Sequence, residues 1–289
     1  MVRTTTVTSI WAFKLASDSD GGFGLQTHGG GGDMPYKSDR HIIFTRVGVD
    51  GIGFGACSTS EKLVESYCNL WLKSSSKFYT AQTTNVPVTV AIQYSLRYAK
   101  IVKSFDWPPW VALDMNDRLL PFIRENHEAL AGKRILVSRL DADDSYAIDF
   151  FEALEKEPSG LIIHKRFKQY NILTGELTDE MVREGSHFAT VIWDEFPADL
   201  EKLKFNTAAL RNNPKVKPRD SYIQIDDNHK YICKNEHRVL DGCFCLERVT
   251  GYNYGNFWKH PELIRRGSVK AKTNPVKSSK VLDPRFVGY

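Results

Sequence analysis

Three carboxylates lie within four positions of the sequence, at Asp141, Asp143 and Asp144, directly after the largely apolar run of residues 135–140. Each ionised carboxylate raises the cost of ionising its neighbours, so a cluster of this kind favours a bound counter-charge. Hard divalent cations such as Mg²⁺ and Mn²⁺ prefer such oxygen ligands. Strand alternation would put Asp141 and Asp143 on one side. The cluster therefore predicts a metal site at a strand end, with Asp141 and Asp143 as ligands and a phosphorylated compound bound to the ion.

The same residues have a second interpretation that involves no metal. Asp and Ser side chains readily accept the free N–H groups at the start of a helix. Asp143, Asp144 and Ser145 would then cap the amphipathic helix predicted over residues 146–155. The two interpretations are compatible if Asp144 and Ser145 start the helix while Asp141 and Asp143 hold the ion.

Two arginines and a threonine are candidates for binding a nucleotide diphosphate. Thr45 and Arg46 close a buried strand predicted over residues 41–47, and Arg139 precedes the carboxylates. Ligands of open α/β sheets bind beyond the carboxyl ends of the strands, and a guanidinium can fork onto phosphate oxygens. We therefore expect Thr45, Arg46, Arg139 and Asp141 to contact the nucleotide, with a surface position as the alternative for Arg46.

Another pair of acids, Asp194 and Glu195, follows the apolar run of residues 188–193. A reaction in which a hydroxyl attacks as a nucleophile needs a general base to take its proton. Position alone makes Asp194 or Glu195 the candidate for that base. The alternative is a solvated helix start before Pro197.

The elements that must position these residues alternate between strand and helix. Apolar runs of strand length and helix-spaced apolar residues together predict an α/β fold, a mixed sheet flanked by helices. Helix followed by strand makes a right-handed crossover the default connection. Strands are predicted over residues 4–15, 41–47, 86–92, 135–140, 160–164, 167–172 and 188–193, helices over 60–80, 121–131 and 146–155, and a hairpin turn over 173–177.

Composition sets outer limits on the class of protein. The 289 residues are 42% hydrophobic with a net charge of +4, enough for one large domain and too mildly basic to identify a partner. Five cysteines, no secretory signal and no apolar stretch of about 20 residues predict a cytoplasmic protein with reduced thiols and no transmembrane segment. His229, Cys233, His237, Cys243 and Cys245 match no common zinc spacing, which favours scattered residues over a zinc site.

Three segments are predicted along the chain. Residues 1–38 form an N-terminal extension with a glycine-rich loop, and it lacks the Gly-Lys-Ser/Thr of a P-loop. Residues 39–263 form the α/β domain. Residues 264–289 form a basic tail that could hold polyanions, nucleic acid or an anionic membrane surface, or pack loosely as a solvated segment.

The run from Ser138 to Asp144, Ser-Arg-Leu-Asp-Ala-Asp-Asp, resembles the Asp-x-Asp region of GT-A glycosyltransferases, and more narrowly the rhamnosyltransferase family. Residues 43–46 resemble that family's first strand, residues 71–83 its helix before strand two, residues from 188 onward its "Pro-Phe-x-Ser-Leu" segment, and residues 251–253 its closing "His-Gly-x-Asn". The chain departs from the family at Gln93, where an aspartate is expected, and at Thr250, where a histidine is expected.

The resemblance implies a GT-A-like fold and a metal-dependent glycosyltransferase, a hexosyl- or pentosyltransferase. It would use Mn²⁺ or Mg²⁺ and a nucleotide-diphosphate sugar as donor, and transfer the sugar to a hydroxyl of a glycan or of a modified DNA base reached through the basic tail. The residues alone leave two other classes open: a metal-dependent nucleotidyl- or phosphotransferase, and a non-enzymatic nucleic-acid-binding protein. They give no oligomeric state.

Overall fold

The structure is a computed structural model that describes residues 38–48, 61–114, 119–172, 174–183, 188–199, 237–249 and 277–289. The strand and glycine-rich loop predicted near the N-terminus lie outside these residues. So do Thr250, His229, Cys57 and Cys233, and residues 264–276 of the basic tail.

Thirteen strands are found in the described residues, and they form two sheets. Their bounds are β1 Arg40–Gly48, β2 Val88–Tyr94, β3 Val111–Asp114, β4 Ile135–Arg139, β5 Ser145–Tyr146, β6 Gly160–Ile163, β7 Arg166–Asn171, β8 Glu176–Thr178, β9 Met181–Val182, β10 Ala189–Trp193, β11 Arg238–Val239, β12 Cys245–Val249 and β13 Ser278–Ser279.

The larger sheet has seven strands in the order β11-β6-β10-β4-β1-β2-β3. Strands β3, β2, β1 and β4 run parallel to one another, whereas β10 is antiparallel to both β4 and β6. Helices flank this mixed sheet. The predicted fold class, an α/β fold with a mixed sheet flanked by helices, is confirmed.

Helices connect the parallel strands. Their bounds are α1 Glu61–Leu70, which continues through a π-helical turn Trp71–Ser75 into α2 Lys77–Thr80, a 3₁₀ turn Leu96–Tyr98 and α3 Ala99–Val102, α4 Leu119–Glu125, α5 His127–Leu130, and α6 Phe150–Glu155. Gly132, at φ +71°, ends the segment after α5 as its sequence predicts. None of the helices in these ranges is long and apolar enough to cross a bilayer.

Alternating side chains of the central strands fill a core on each face of the larger sheet. Ile43, Ile92 and Leu136 belong to one buried cluster, together with Trp71 and Phe78 of the helical segment. Ile42 and Val137 belong to a second cluster on the opposite face. Strands buried on both faces read as continuous apolar runs, which explains why these strands are visible in the sequence.

The second sheet has the order β13-β8-β7-β12-β5, and β9 pairs with β7. Its strand β5 corrects the prediction of a helix over residues 146–155. Ser145 and Tyr146 pair with Leu246 and Cys245 of β12, so the helix α6 begins only at Phe150. The prediction that Asp143, Asp144 and Ser145 cap a helix is therefore wrong.

Candidate active site

Polar side chains line up across the carboxyl edge of the parallel strands. Arg46 of β1 lies beside Gln93 of β2, and Gln93 lies beside Asp114 of β3. Gln93 Nε2 donates a hydrogen bond to Asp114 Oδ2 at 3.3 Å, and both side chains are buried. Arg139 ends β4 in register with Phe44, just before the carboxylates. This edge is therefore where the sequence predicts a nucleotide site.

Thr45 and Arg46 occupy different environments at this edge. Thr45 is fully buried, whereas Arg46 is partly exposed with its guanidinium carbon 5.8 Å from the centre of the Phe44 ring. Asp114 is an acid that composition and periodicity do not single out, because β3 is a four-residue strand in a stretch with little pattern. Its register with Gln93 supplies a carboxylate next to the place where the family resemblance expects one.

The carboxylates themselves form a turn that the strand pattern does not predict. The Asp144 N–H donates to the Asp141 carbonyl at 3.0 Å, which closes a β-turn over Asp141–Asp144 that we call the acidic turn. The turn leads the chain from β4 into β5. The expected strand alternation of Asp141 and Asp143 is therefore wrong, since the strand ends at Arg139.

Charge within the acidic turn is crowded. Burial raises the pKa of Asp143 well above its usual value, and the nearby Asp144 and Asp141 raise it further, while Arg248 opposes the shift. Asp141 is more exposed, and one of its oxygens lies 3.6 Å from the Arg139 guanidinium. A cation bound at the turn would stabilise the ionised form of Asp143 and so lower its pKa.

The donor set of the turn fits Mg²⁺ or Mn²⁺ bound together with a phosphorylated ligand. Such ions commonly take one or two protein carboxylates and complete their shell with water and substrate phosphates. Asp141 and Asp143 would supply those carboxylates. In the described part of the chain, no group of three or more His, Cys, Asp or Glu side chains could hold a metal, so an ion at the turn would depend on oxygens from the ligand.

The acidic turn and the end of the strand before it are held by hydrogen bonds from outside. Tyr146 Oη donates to the Arg139 carbonyl at 2.5 Å, and Arg248 Nη1 donates to the Asp143 carbonyl at 3.1 Å. The Arg248 N–H also donates to Asp144 Oδ1 at 3.2 Å. Sequence reasoning missed Arg248; the only available signal was a charged residue within the short strand-like run that became β12.

Asp194 and Glu195 do not join this site. Because β10 is antiparallel to β4, its last residue Trp193 lies beside Ile135, the first residue of β4. Asp194 there forms an ion pair with Arg134. The five residues of β4 span roughly 16 Å, so these acids lie at the opposite edge of the sheet from the acidic turn. Their placement gives no support to a role as general base.

The described cysteines include no activated nucleophile. Cys68, Cys243 and Cys245 are buried free thiols. Burial raises the pKa of Cys243 to about 11 and that of Cys68 to about 12, so neither thiol is activated as a nucleophile.

Comparisons with known proteins give little beyond this geometry. No protein-family model matches the chain, and no curated protein matches it. A crystal structure of S. aureus TarS 1–349 matches with a TM-score of 0.34 and 10% identity, over 81% of this chain and 67% of that one. A second S. aureus TarS structure matches with a TM-score of 0.32 and 12% identity, over 82% of this chain and 40% of that one.

Proposed function

We propose that this chain is a metal-dependent glycosyltransferase that moves a sugar from a nucleotide-diphosphate sugar to an acceptor hydroxyl. The observation that carries the proposal is the position of the acidic turn. It follows a central parallel strand at the same sheet edge where Arg46, Gln93 and Asp114 align. Open α/β sheets bind ligands at such an edge, and a diphosphate leaving group needs positive charge there.

The proposed roles follow from this placement. Asp141 and Asp143 hold Mn²⁺ or Mg²⁺, which when bound neutralises charge that develops on the departing diphosphate. Arg46 and Arg139 bind phosphate oxygens, because a guanidinium offers paired donors. Gln93 and Asp114, which share a hydrogen bond at the ends of their strands, bind the base or ribose of the nucleotide in this proposal. The acceptor's proton must be taken at this same edge.

The proposal names the donor sugar and the acceptor only by their chemical class. The family resemblance of residues 138–144 favours a hexosyl or pentosyl donor, with a glycan hydroxyl as acceptor and a modified DNA base as the second choice.

The basic tail motivates the DNA acceptor. Its described end packs on the domain, where Asp283 pairs with Lys168 at 2.6 Å. A nucleotidyl- or phosphotransferase would use the same turn without transferring sugar.

Release of nucleoside diphosphate from a panel of UDP-, GDP- and dTDP-sugars tests this proposal, in Mn²⁺ with glycan and DNA acceptors. We expect turnover of one donor, lost by about a hundredfold or more in Asp141→Asn and Asp143→Asn, because the leaving group loses its charge stabilisation. Asp194→Asn is the matched control at the far edge and should retain activity. Nucleotide turnover without sugar transfer, or silence across the whole panel, would contradict the proposal.

A further inference from the structure

Arg248, the residue before the last of β12, is fully buried next to the acidic turn. Its guanidinium is charged, as arginine side chains are in proteins. A buried charge is costly unless its donors are satisfied. The partners of Arg248 therefore show what the fold uses this charge for.

The guanidinium joins three segments that are distant in sequence. Its Nη1 donates to Ser75 Oγ and to the Asp143 carbonyl, both at 3.1 Å. Its Nη2 donates to the carbonyls of Val287 at 3.3 Å and Gly288 at 3.1 Å. Nη1 of the guanidinium thus binds the acidic turn, and Nη2 binds residues 287–288.

The helical segment before β2 completes this arrangement. Ser75 Oγ donates to the Ala142 carbonyl at 3.0 Å, so two successive carbonyls of the acidic turn are bound from outside it. The neighbouring Ser74 hydroxyl donates to the Gly288 carbonyl. The turn, the π-helical turn and residues 287–288 therefore share one hydrogen-bond network centred on Arg248.

We propose that Arg248 is a positioning residue for the acidic turn, and that residues 287–288 are the anchor that holds its guanidinium in place. The inference deepens the proposed function and rests on it for what the turn binds, a divalent cation together with a diphosphate. A metal site is sensitive to the placement of its ligands, and groups behind the ligands commonly set that placement. Arg248 does so through the backbone of the turn.

Gly288 offers a way to disturb the anchor without touching the turn. Its φ is +77°, and a Cβ added there would overlap the carbonyl group of Ser74. A side chain at this position must therefore displace the segment and withdraw its carbonyls from Arg248. Gly175 has a similar φ of +70° with nothing near the site of a Cβ, so Gly175→Ala is a matched control for backbone strain alone.

The first test measures Mn²⁺ binding by electron paramagnetic resonance of the free ion, in the presence of UDP, GDP or dTDP. We expect Gly288→Ala, Ser75→Ala and Arg248→Lys each to raise the Mn²⁺ dissociation constant by about tenfold or more. The lysine variant loses affinity because one ammonium cannot fork between the turn and the anchor. Gly175→Ala and Ser76→Ala, whose hydroxyl donates to the Leu72 carbonyl instead, should stay close to the wild type.

A second test needs neither metal nor activity. Hydrogen exchange of the Asp144 amide, which is bonded within the acidic turn, reports on the turn's order in the metal-free protein. We expect exchange about tenfold faster in Gly288→Ala than in Gly175→Ala. If the wild type binds no Mn²⁺, the proposed function fails while this exchange result still decides the positioning role.

A role that is only structural gives a different pattern. It would lower the melting temperature of Gly288→Ala but leave Asp144 exchange and Mn²⁺ affinity of the folded protein unchanged, and that result would overturn the inference. If Arg248→Lys does not fold, Gly288→Ala and Ser75→Ala decide the question by the same two measurements.

Discussion

Asp143 and Asp194 are both acids that follow an apolar strand, yet Asp143 lies beyond the carboxyl end of β4 and Asp194 lies near its amino end. Asp143 is buried in a turn with two other carboxylates, so burial and like charge destabilise its charged form. Asp194 already has its partner in Arg134. Chemistry at the residue scale therefore depends on what surrounds each carboxylate, and the residue types alone do not distinguish the two.

Asp194→Asn tests that distinction. We expect activity within about twofold of the wild type, because the side chain is remote from the acidic turn, and a loss of about 1 kcal/mol in the free energy of unfolding. The loss arises because the buried Arg134 guanidinium keeps its bond to the Glu157 carbonyl but loses an ionic partner. Urea denaturation and the donor panel measure the two quantities. A large loss of activity at full stability would restore Asp194 as a candidate base.

At the scale of elements, a buried chain of hydrogen bonds crosses four strands of the larger sheet. His41 Nε2 of β1 lies 2.7 Å from Ser138 Oγ of β4, which lies 2.7 Å from Thr190 Oγ1 of β10. Thr190 Oγ1 lies 3.0 Å from His164 Nε2, in the residue after β6. These polar groups fall at fixed positions along apolar strands, so a shift in strand register would leave them unsatisfied.

The two buried histidines of this hydrogen-bond chain make the stability of the protein depend on pH. Burial lowers the pKa of His41 and of His164 to about 3, and for His41 the neighbouring His164 adds to the shift. The unfolded chain binds protons at these histidines below about pH 6.5, whereas the native protein does not until near pH 3, so stability falls as pH falls through this window. Each histidine contributes a slope of about 1.4 kcal/mol per pH unit near pH 5.

His164→Asn isolates one of the two contributions. The slope of the unfolding free energy against pH between pH 5 and pH 6 is measured by urea denaturation. We expect this slope to be smaller than in the wild type by about 1.4 kcal/mol per pH unit, the contribution of one proton. An equal slope in the two proteins would mean that His164 titrates alike in the folded and unfolded states, contrary to its burial.

The elements that the sequence predicts well are those buried on both faces. Strands β1, β4 and β10 appear within a residue or two of their predicted bounds because continuous apolar runs mark them. β3 was missed because it is a four-residue edge strand of mostly half-buried residues. The start of α6 was wrong because Tyr146 fits a helical pattern but pairs with Cys245, a partner about a hundred residues away that local propensity cannot reveal.

The site could be predicted only in part for a related reason. Thr45 and Arg46 lie near the end of β1, Arg139 ends β4, and Asp141 follows β4; the register shows that these two strands are parallel neighbours. Asp194 and Glu195 were misplaced because an apolar run does not reveal whether its strand runs parallel or antiparallel. Their contacts with nucleotide, metal and acceptor stay predictions.

At the scale of the whole molecule, the acidic turn is one of the connections between the two sheets. It leaves β4 of the larger sheet, enters β5 of the second, and is joined to residues 287–288 through Arg248. Binding at such a connection engages both sheets at once. We therefore expect the ligand to stabilise the described fold as a unit rather than to order one loop.

Ligand-linked stability measures this coupling. At a ligand concentration about 100 times the dissociation constant, Mn²⁺ with the preferred nucleoside diphosphate should raise the free energy of unfolding by about 2.7 kcal/mol in a single transition. Asp114→Asn, which alters the proposed nucleotide contact, should reduce the gain, whereas Asp194→Asn should not. Two separate transitions, only one of them shifted by ligand, would show that the sheets unfold independently.

The central claim is that the acidic turn binds a metal ion and a sugar nucleotide together. Calorimetric titration of the wild type and Asp143→Asn with the preferred sugar nucleotide, with and without Mn²⁺, tests it most directly. We expect Mn²⁺ to tighten binding by about tenfold or more in the wild type and to have no effect in Asp143→Asn. Equal Mn²⁺-dependent binding in the two proteins would contradict the claim and place the metal site elsewhere.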